Sequence, residues 1–291
     1  MTTQRHDAAL EGWALILGAS SGFGEASALA LARGGMHIFG VHMDRKTTMP
    51  NVERIVAEIK RMGREAIFFN VNASDPGKRS EVLDQMEKTL ADRGEPSSVK
   101  VMLHSLAFGT LKPFIAPLPK DGITSAQMEM TLDVMANSLV YWVQELVARR
   151  VMTRGGKVFA MTSSGGARVW GAYGAVSAAK AALESHIRQL AMELAPLGIT
   201  ANAIRAGVTD TPALRKIPGS ESIKRTALLF NPSGRLTTPE DVAAALIALS
   251  RPETHWMTGN VIGVDGGEDI VGFSVSSKTA AGTDTGGPAP V

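Results

Sequence analysis

The sequence contains no cysteine, so disulfides, thiolate metal ligands and cysteine nucleophiles are all excluded. Long apolar runs are also missing: no stretch reaches the roughly 20 residues that a membrane-spanning helix needs. Residues 1–12 hold no apolar signal core. The 30 basic and 28 acidic residues nearly balance, and the net charge of +2 gives no reason to expect a nucleic-acid partner. These absences predict a cytoplasmic protein without a metal site, a membrane contact or a nucleic-acid partner.

Aromatic residues are also few, at 5%, whereas 30 of the 291 residues are glycine, as tight turns between strands and helices require. Short apolar segments alternate with helical patterns along the chain. Strands are predicted at residues 13–17, 37–41, 65–71, 99–103, 156–161, 200–204 and 260–264. Helices are predicted at residues 25–33, 51–62, 78–93, 125–151 (which an early break could interrupt), 173–195 and 239–249. This alternation predicts one doubly wound α/β domain, in which helices cover both faces of a seven-stranded parallel sheet.

The predicted domain spans residues 13–274, after a loose lead-in at 1–12. Residues 275–291 are rich in Ser, Gly, Thr and Pro without periodicity, which predicts a disordered tail. Residues 211–234 are long for a connection inside such a domain, and this length indicates a substrate lid.

Three glycines lie where the first strand turns into the first helix, in the run Gly18-Ala-Ser-Ser-Gly22-Phe-Gly24. Glycine allows a phosphate or another backbone to approach closely, and the helix N-terminus offers free N–H groups to a pyrophosphate. An ordinary tight turn is the alternative. The position inside a βαβ unit favours a dinucleotide site.

Ser163, Tyr173 and Lys180 form a second candidate group. At about 100° per residue, the step from Tyr173 to Lys180 falls about 20° short of two helical turns, so both side chains share one face. A nearby ammonium favours the phenolate and makes the tyrosine a better proton donor. Ordinary surface packing gives the same spacing, so the pair alone does not establish a catalytic site.

Taken together, these motifs resemble those of the short-chain dehydrogenase/reductase superfamily over roughly residues 10–270. The superfamily usually places its tyrosine four residues before the lysine, where this chain has Val176. A tyrosine seven residues before the lysine is typical of the enoyl-acyl-carrier-protein reductases, a divergent branch. Further runs resemble that branch: His104-Ser105-Leu106-Ala107-Phe108, Ala179-Lys180-Ala181-Ala182-Leu183-Glu184 and Asn202-Ala203-Ile204-Arg205-Ala206-Gly207. Met135 stands about where common members carry a catalytic asparagine.

The resemblance implies hydride transfer from a reduced nicotinamide to the trans-2 double bond of an enoyl thioester, on acyl carrier protein or CoA, in fatty-acid synthesis. Tyr173 would donate to the thioester oxygen, while Lys180 would hold the nicotinamide ribose. Ser163 departs from the branch, in which many members carry a second tyrosine, and leaves the substrate open. The superfamily also usually forms homotetramers.

The resemblance also assigns cofactor-binding residues by position. They are Gly18, Ser20, Ser21, Gly22, Phe23, Gly24, His42, Arg45, Asn72, Ser105, Ala107, Lys180, Ala206, Gly207, Val208 and Thr211. Thr211 has a helix cap as its alternative role. The second strand ends in His42 rather than in an acid, and Arg45 and Lys46 follow, which favours NADPH over NADH. Asp44 would favour NADH if its side chain pointed inward.

The predicted lid carries Arg215, Lys216, Lys224 and Arg225 near apolar residues, a pattern suited to acidic acyl carrier protein. An amphipathic lid with a solvated face is the alternative. Two other functions stay open. One is a ketone or 3-oxoacyl thioester reductase on the same fold, which Ser163 favours and Val176 and Met135 disfavour. The other is a cofactor-binding regulatory protein without catalysis, which the intact Ser163, Tyr173 and Lys180 disfavour.

Overall fold

The computed structural model describes residues 9–95 and 98–272. In these residues, seven parallel strands form one sheet, as the sequence predicted, and their order is β3-β2-β1-β4-β5-β6-β7. The strands are β1 (Trp13–Leu17), β2 (His37–His42), β3 (Ala66–Asn70), β4 (Val99–His104), β5 (Lys157–Ser163), β6 (Thr200–Ala206) and β7 (Val261–Val264). The helices are α1 (Gly22–Arg33), α2 (Met49–Arg61), α3 (Pro76–Asp92), α4 (Ser125–Leu132), α5 (Ser138–Ala148), α6 (Gly174–Leu194), α7 (Ser220–Phe230) and α8 (Pro239–Leu249). The predicted tail at 275–291 and residues 1–8 of the predicted lead-in lie outside the described residues.

Both faces of the sheet are buried, because helices cover each of them. Along β1, Trp13, Leu15 and Leu17 face one hydrophobic core, while Ala14 and Ile16 face the other. This alternation follows from the two-residue period of a strand. The first core includes side chains of α3, α5 and α6, and the second includes side chains of α1, α2 and α8. The doubly wound fold class that the sequence predicted is therefore confirmed.

The strand order reverses between β1 and β4, and this reversal opens a crevice at their carboxyl ends. Two glycines allow the close packing there. A Cβ on Gly18, whose φ is +87°, would lie 2.5 Å from the carbonyl oxygen of Ser105. A Cβ on Gly24 would lie 2.0 Å from the carbonyl oxygen of Gly18. The β1–α1 turn thus needs glycine at both positions for reasons of packing alone.

The helix predicted at 125–151 is interrupted early. A π-helical turn at Asp133–Asn137 separates α4 from α5, which ends at Ala148. The Ser138 hydroxyl donates to the Val134 carbonyl at 2.8 Å, inside this irregular stretch. Such turns add a residue to the helix and are frequent at functional sites. Here the turn carries Met135, which is buried and faces the crevice.

The predicted lid at 211–234 is more ordered than its sequence indicated, because it contains α7. The helix begins after Gly219, whose φ of +79° suits glycine. Ala227 is its only buried residue, and Ile223 and Phe230 lie at helical spacing from it on the same face. In residues 9–95 and 98–272, no helix is long and apolar enough to cross a membrane.

Candidate active site

A cavity of about 270 Å³ opens at the carboxyl edge of the sheet, and it brings Ser163, Tyr173 and Lys180 together. Its walls come from residues that follow β1, β4 and β6, from the end of β5, from the π-helical turn, from the start of α6 and from the lid. The apolar part of the wall includes Leu106, Met135, Val176, Leu214, Ile217 and Ile223. The candidate catalytic residues therefore face a largely apolar space.

Tyr173 is the residue immediately before α6, and its side chain lies against the end of β5. Burial raises the pKa of the Tyr173 phenol, and a hydrogen bond with Ser163 acts in the opposite direction. A Cβ on Gly165 would lie 2.5 Å from the tyrosine ring, so glycine at that position makes room for the ring. Ala172, just before the tyrosine, has a φ of +60°, a left-handed conformation that non-glycine residues adopt at a cost. The chain is therefore held in a strained turn next to the phenol.

Ser163 ends β5, and its hydroxyl accepts a hydrogen bond from the Gly165 backbone N–H at 3.2 Å. That contact fixes the hydroxyl beside Tyr173. The serine can orient the phenol or contact a substrate carbonyl, as the sequence predicted for it.

Lys180 lies on α6 with 7% of its surface exposed. Its Nζ donates to the carbonyl oxygen of Met161 at 2.7 Å. Burial lowers the pKa of Lys180 from 10.5 to about 8, while the nearby Glu184 carboxylate acts in the opposite direction. Glu184 itself accepts a hydrogen bond from the Thr162 hydroxyl at 2.7 Å. The Met161 carbonyl thus holds the Lys180 ammonium, while the Glu184 carboxylate, which could balance its charge, is hydrogen-bonded to Thr162.

His104, at the end of β4, is a buried residue that the sequence did not single out for a role of its own. Its Nε2 lies 2.8 Å from the Ser138 hydroxyl, which already donates to Val134, so Nε2 carries the proton and donates. Burial and then the Lys180 charge lower the pKa of His104 to about 3. The imidazole is therefore neutral and ties β4 to the π-helical turn. Its place after a predicted strand and its place in the run His104-Ser105-Leu106-Ala107-Phe108 were the signals that could have indicated it.

The turn between β1 and α1 fits a pyrophosphate. Gly18 and Gly22 have positive φ, and α1 starts directly after Ser21. Ser21 occupies the N-cap position of α1, but its side chain makes no capping hydrogen bond. The first N–H groups of the helix therefore stay available to an anion. Phe23, within the turn, lines the cavity. The residues present therefore fit a dinucleotide.

Most other predicted cofactor residues also line the cavity. These are Ser105 and Ala107 after β4, and Ala206, Gly207, Val208 and Thr211 at and after the end of β6. The Thr211 hydroxyl also accepts from the Leu214 backbone N–H at 3.2 Å, although Ala213 occupies the N-cap position of the short 3₁₀ turn that starts at Leu214.

Outside the β1–α1 turn, three predicted cofactor residues do not line the cavity. Asn72 is exposed after β3, and its Oδ1 accepts from the backbone N–H and the hydroxyl of Ser74. Arg45 is exposed beyond β2. His42, at the end of β2, is buried, and its Nδ1 lies 3.0 Å from an Asp44 carboxylate oxygen. Burial lowers the pKa of His42, against the opposing effect of Asp44.

Asp44 points inward, toward the β1–α1 turn. Burial alone would raise the pKa of its carboxyl, but hydrogen bonds with Ser20, Thr48 and His42 together lower it. Its backbone N–H donates to Asn70 at 2.9 Å, which fixes the residue at the end of β3. A carboxylate is therefore held beside the glycine-rich turn.

Known proteins are similar to this chain in sequence and in fold. A family model described as enoyl-(acyl carrier protein) reductase matches residues 18–268. The 3-oxoacyl-[acyl-carrier-protein] reductase FabG of Thermotoga maritima is 27% identical, over 87% of this chain and 96% of that protein. The enoyl-[acyl-carrier-protein] reductase [NADH] FabI of Bacillus cereus is 33% identical, over 61% of this chain and 68% of that protein. The crystal structure of the Aquifex aeolicus enoyl-[acyl-carrier-protein] reductase (NADH) superposes with a TM-score of 0.77 at 24% identity, covering 90% and 98% of the two chains.

The fold and the cavity define an oxidoreductase of the short-chain dehydrogenase/reductase type. Within that superfamily, the chain belongs to the family that the enoyl-(acyl carrier protein) reductase model describes. The relatives include reductases of both enoyl and 3-oxoacyl substrates. The superfamily resemblance seen in the sequence is thereby confirmed, while the choice between substrates depends on the site.

Proposed function

We propose that the protein reduces the trans-2 double bond of an enoyl thioester. The observation that carries the proposal is that Tyr173, seven residues before Lys180, faces the cavity together with it, while Val176 occupies the usual tyrosine position. Because Tyr173 lies three residues, about one helical turn, before the usual tyrosine position, its hydroxyl is expected to contact a different atom of the substrate. This arrangement suits a donor to the thioester oxygen rather than to a ketone that receives the hydride.

When bound, a reduced nicotinamide supplies the hydride. Negative charge then develops on the thioester oxygen, and the Tyr173 hydroxyl donates a hydrogen bond or a proton there. Ser163 holds the phenol in place, and the buried Lys180 cation, which lines the same cavity, favours negative charge that develops there. The apolar wall formed by Met135 and Val176 excludes water from the reacting carbons.

The experiment is a 340 nm assay of the purified protein with either NADH or NADPH and either crotonyl-CoA or acetoacetyl-CoA. We expect oxidation with crotonyl-CoA and a loss of turnover of about 100-fold or more in Tyr173→Phe, since general acid catalysis contributes about that much. Tyr141→Phe, on α5 and outside the cavity, is the matched control. Turnover of acetoacetyl-CoA alone would contradict the proposal, and unchanged turnover in Tyr173→Phe would remove Tyr173 from the mechanism.

Reduction of a 3-oxoacyl thioester is the second candidate function. The hydrogen bond between Ser163 and Tyr173 favours it, because a serine and a tyrosine together can hold a carbonyl oxygen. The Thermotoga maritima relative carries that activity in its name. The same assay separates the two functions.

For the cofactor, we propose NADH. The sequence favoured NADPH because β2 ends in His42, but the Asp44 carboxylate points toward the turn and is hydrogen-bonded to Ser20. A carboxylate there accepts from a ribose hydroxyl and repels a 2′-phosphate. The Bacillus cereus relative is named for NADH, which agrees with this choice.

Docking of acyl carrier protein and assembly into a homotetramer stay proposals. Of the basic lid residues, Arg215 donates to both carboxylate oxygens of Asp210, at 2.9 and 3.0 Å. Lys224 lies 2.6 Å from Glu221. These ion pairs weaken the positive potential that the sequence suggested, so Lys216 and Arg225 are the lid residues that we assign to docking.

A further inference from the structure

The turn that follows β7 carries three acidic residues, Asp265, Glu268 and Asp269, and of these only Glu268 is buried. Its carboxylate accepts a hydrogen bond from the Val208 backbone N–H at 3.1 Å. Burial raises the pKa of Glu268, as do the two neighbouring carboxylates, while the bond from Val208 and the charge of Arg168 act in the opposite direction. Because a buried carboxylate is costly without a donor, the bond to Val208 compensates for the place of Glu268 in the fold.

Val208 is the first residue beyond the sheet on the way from β6 to the lid. The Gly207 N–H still donates to the Val264 carbonyl at 3.1 Å and so continues the pairing of β6 with β7. Val208, like Ala206 and Gly207 before it, lines the catalytic cavity, and all three belong to the predicted cofactor residues. The Glu268 carboxylate therefore attaches the connection to the domain at the point where the sheet ends.

The hydrogen bonds that follow Val208 lie within the connection itself. The Thr209 hydroxyl donates to the Gly207 carbonyl at 3.0 Å, and the Thr211 N–H donates to the Thr209 carbonyl at 2.8 Å. Such bonds shape the connection, but they do not fix its place relative to the sheet. That leaves a specific role for the bond from Val208 to Glu268.

The same turn also holds two other segments of the site. The Asn231 side chain, near the end of the lid, donates to the Asp265 carbonyl at 3.0 Å. Arg168, in the segment between β5 and α6, donates to the Asp269 carbonyl at 3.1 Å and lies 2.9 Å from its carboxylate. The turn at 265–269 thus joins the two ends of the lid to the segment that precedes Tyr173.

We propose that Glu268 is a positioning residue, whose carboxylate holds Val208 and the residues around it in the place that the cofactor requires. This inference rests on the proposed function, because it assumes a reduced nicotinamide dinucleotide beside residues 206–211. A segment that is already held in place loses little conformational freedom when the cofactor binds, so less of the binding free energy is lost. Glu268 acts through Val208 and need not touch the cofactor.

The first test is a titration of the full-length protein with NADH, and in parallel with NADPH, followed by the fluorescence of the reduced nicotinamide. In Glu268→Ala the Kd for NADH should rise about tenfold, as expected for the loss of one hydrogen bond to a charged group. Glu268→Gln keeps an oxygen that can accept from Val208 and should restore most of the affinity. Glu53→Ala, at an exposed position on α2, is the control and should bind as the wild type does.

Hydrogen exchange of the cofactor-free protein, followed by NMR, measures the contact itself. The Val208 N–H should exchange faster in Glu268→Ala than in the wild type, because it loses its acceptor. The Gly207 N–H, which donates to Val264, should exchange at the same rate in both proteins.

If Glu268→Ala does not fold, a comparison of the wild type with Glu268→Gln between about pH 5.5 and 8 replaces it. Because the fold raises the pKa of Glu268, the wild-type carboxylate gains a proton toward the acid end of this range, whereas glutamine does not titrate. A neutral carboxyl is a weaker acceptor than a carboxylate. The wild type should therefore lose affinity for NADH relative to Glu268→Gln as the pH falls.

An unchanged Kd for NADH in Glu268→Ala, or an unchanged exchange rate of the Val208 N–H, would overturn the proposal. So would a ratio of the wild-type and Glu268→Gln affinities that does not depend on pH. A wrong choice of cofactor appears separately, as tighter binding of NADPH by the wild type. Failure of the proposed reaction appears as absent oxidation of crotonyl-CoA by a protein that still binds NADH.

Discussion

Replacing the buried lysine at position 180 should remove a gain in the free energy of unfolding that the wild-type protein shows as the pH rises. The fold lowers the pKa of Lys180 from 10.5 to about 8. One pKa unit corresponds to about 1.4 kcal/mol, so keeping this group charged in the folded state costs about 3 kcal/mol. Between these two pKa values the unfolded chain binds more protons, and the wild-type protein therefore gains stability as the pH rises. In Lys180→Met this gain is absent.

The assay is urea unfolding of the cofactor-free protein at several pH values between 7 and 10.5. As the pH rises across this range, the free energy of unfolding of Lys180→Met should fall by about 3 kcal/mol relative to that of the wild type. Loss of the hydrogen bond to Met161 adds a difference that is the same at every pH. Lys88→Met, at an exposed position on α3, is the control and should show a difference independent of pH. A pH-independent difference in Lys180→Met as well would refute the reasoning, because the ammonium would then not be desolvated.

Three further predictions concern the cofactor and the carrier. Gly24→Ala should destabilise the protein by about 1–3 kcal/mol and weaken NADH binding, since its Cβ would lie 2.0 Å from the Gly18 oxygen. The control in thermal unfolding is Gly171→Ala, because no atom lies within 4 Å of the Cβ added there. Equal loss of stability in the two variants would contradict the packing argument. Asp44→Asn should raise kcat/KM for NADPH relative to NADH about tenfold, whereas the exposed Asp92→Asn should not, and an unchanged ratio would remove Asp44 from cofactor choice. Lys216→Glu with Arg225→Glu should raise KM for crotonyl-acyl-carrier-protein more than for crotonyl-CoA, and equal effects would exclude docking at the lid.

The sheet was predictable from the sequence because its signal is local. Each central strand is buried on both faces and reads as a short apolar run, so all seven strands lie close to their predicted positions. The helix boundary at Tyr173 was also correct, with α6 beginning at Gly174. The helix α7 was not predicted as a helix, although Ile223, Ala227 and Phe230 recur at helical spacing, because the length of the connection indicated only a lid.

Within the site, the sequence indicated which residues lie together but not how they point. Ser163, Tyr173 and Lys180 come from strand ends and helix starts that the fold brings to one edge of the sheet. The orientation of Asp44 depends on hydrogen bonds with Ser20 and Thr48, which belong to different turns. Such choices depend on tertiary contacts, which sequence spacing does not contain.

The electrostatics of the site depend on which groups form hydrogen bonds with its charged side chains. The buried Lys180 ammonium is held by the Met161 carbonyl, while the Glu184 carboxylate that could neutralise it is hydrogen-bonded to Thr162. His104, also buried, stays neutral and adds no second charge. The Lys180 charge lowers the pKa of His104, whereas burial and Ser163 determine the pKa of the Tyr173 phenol. Burial raises the pKa of that phenol, so the tyrosine is protonated at neutral pH and ready to donate.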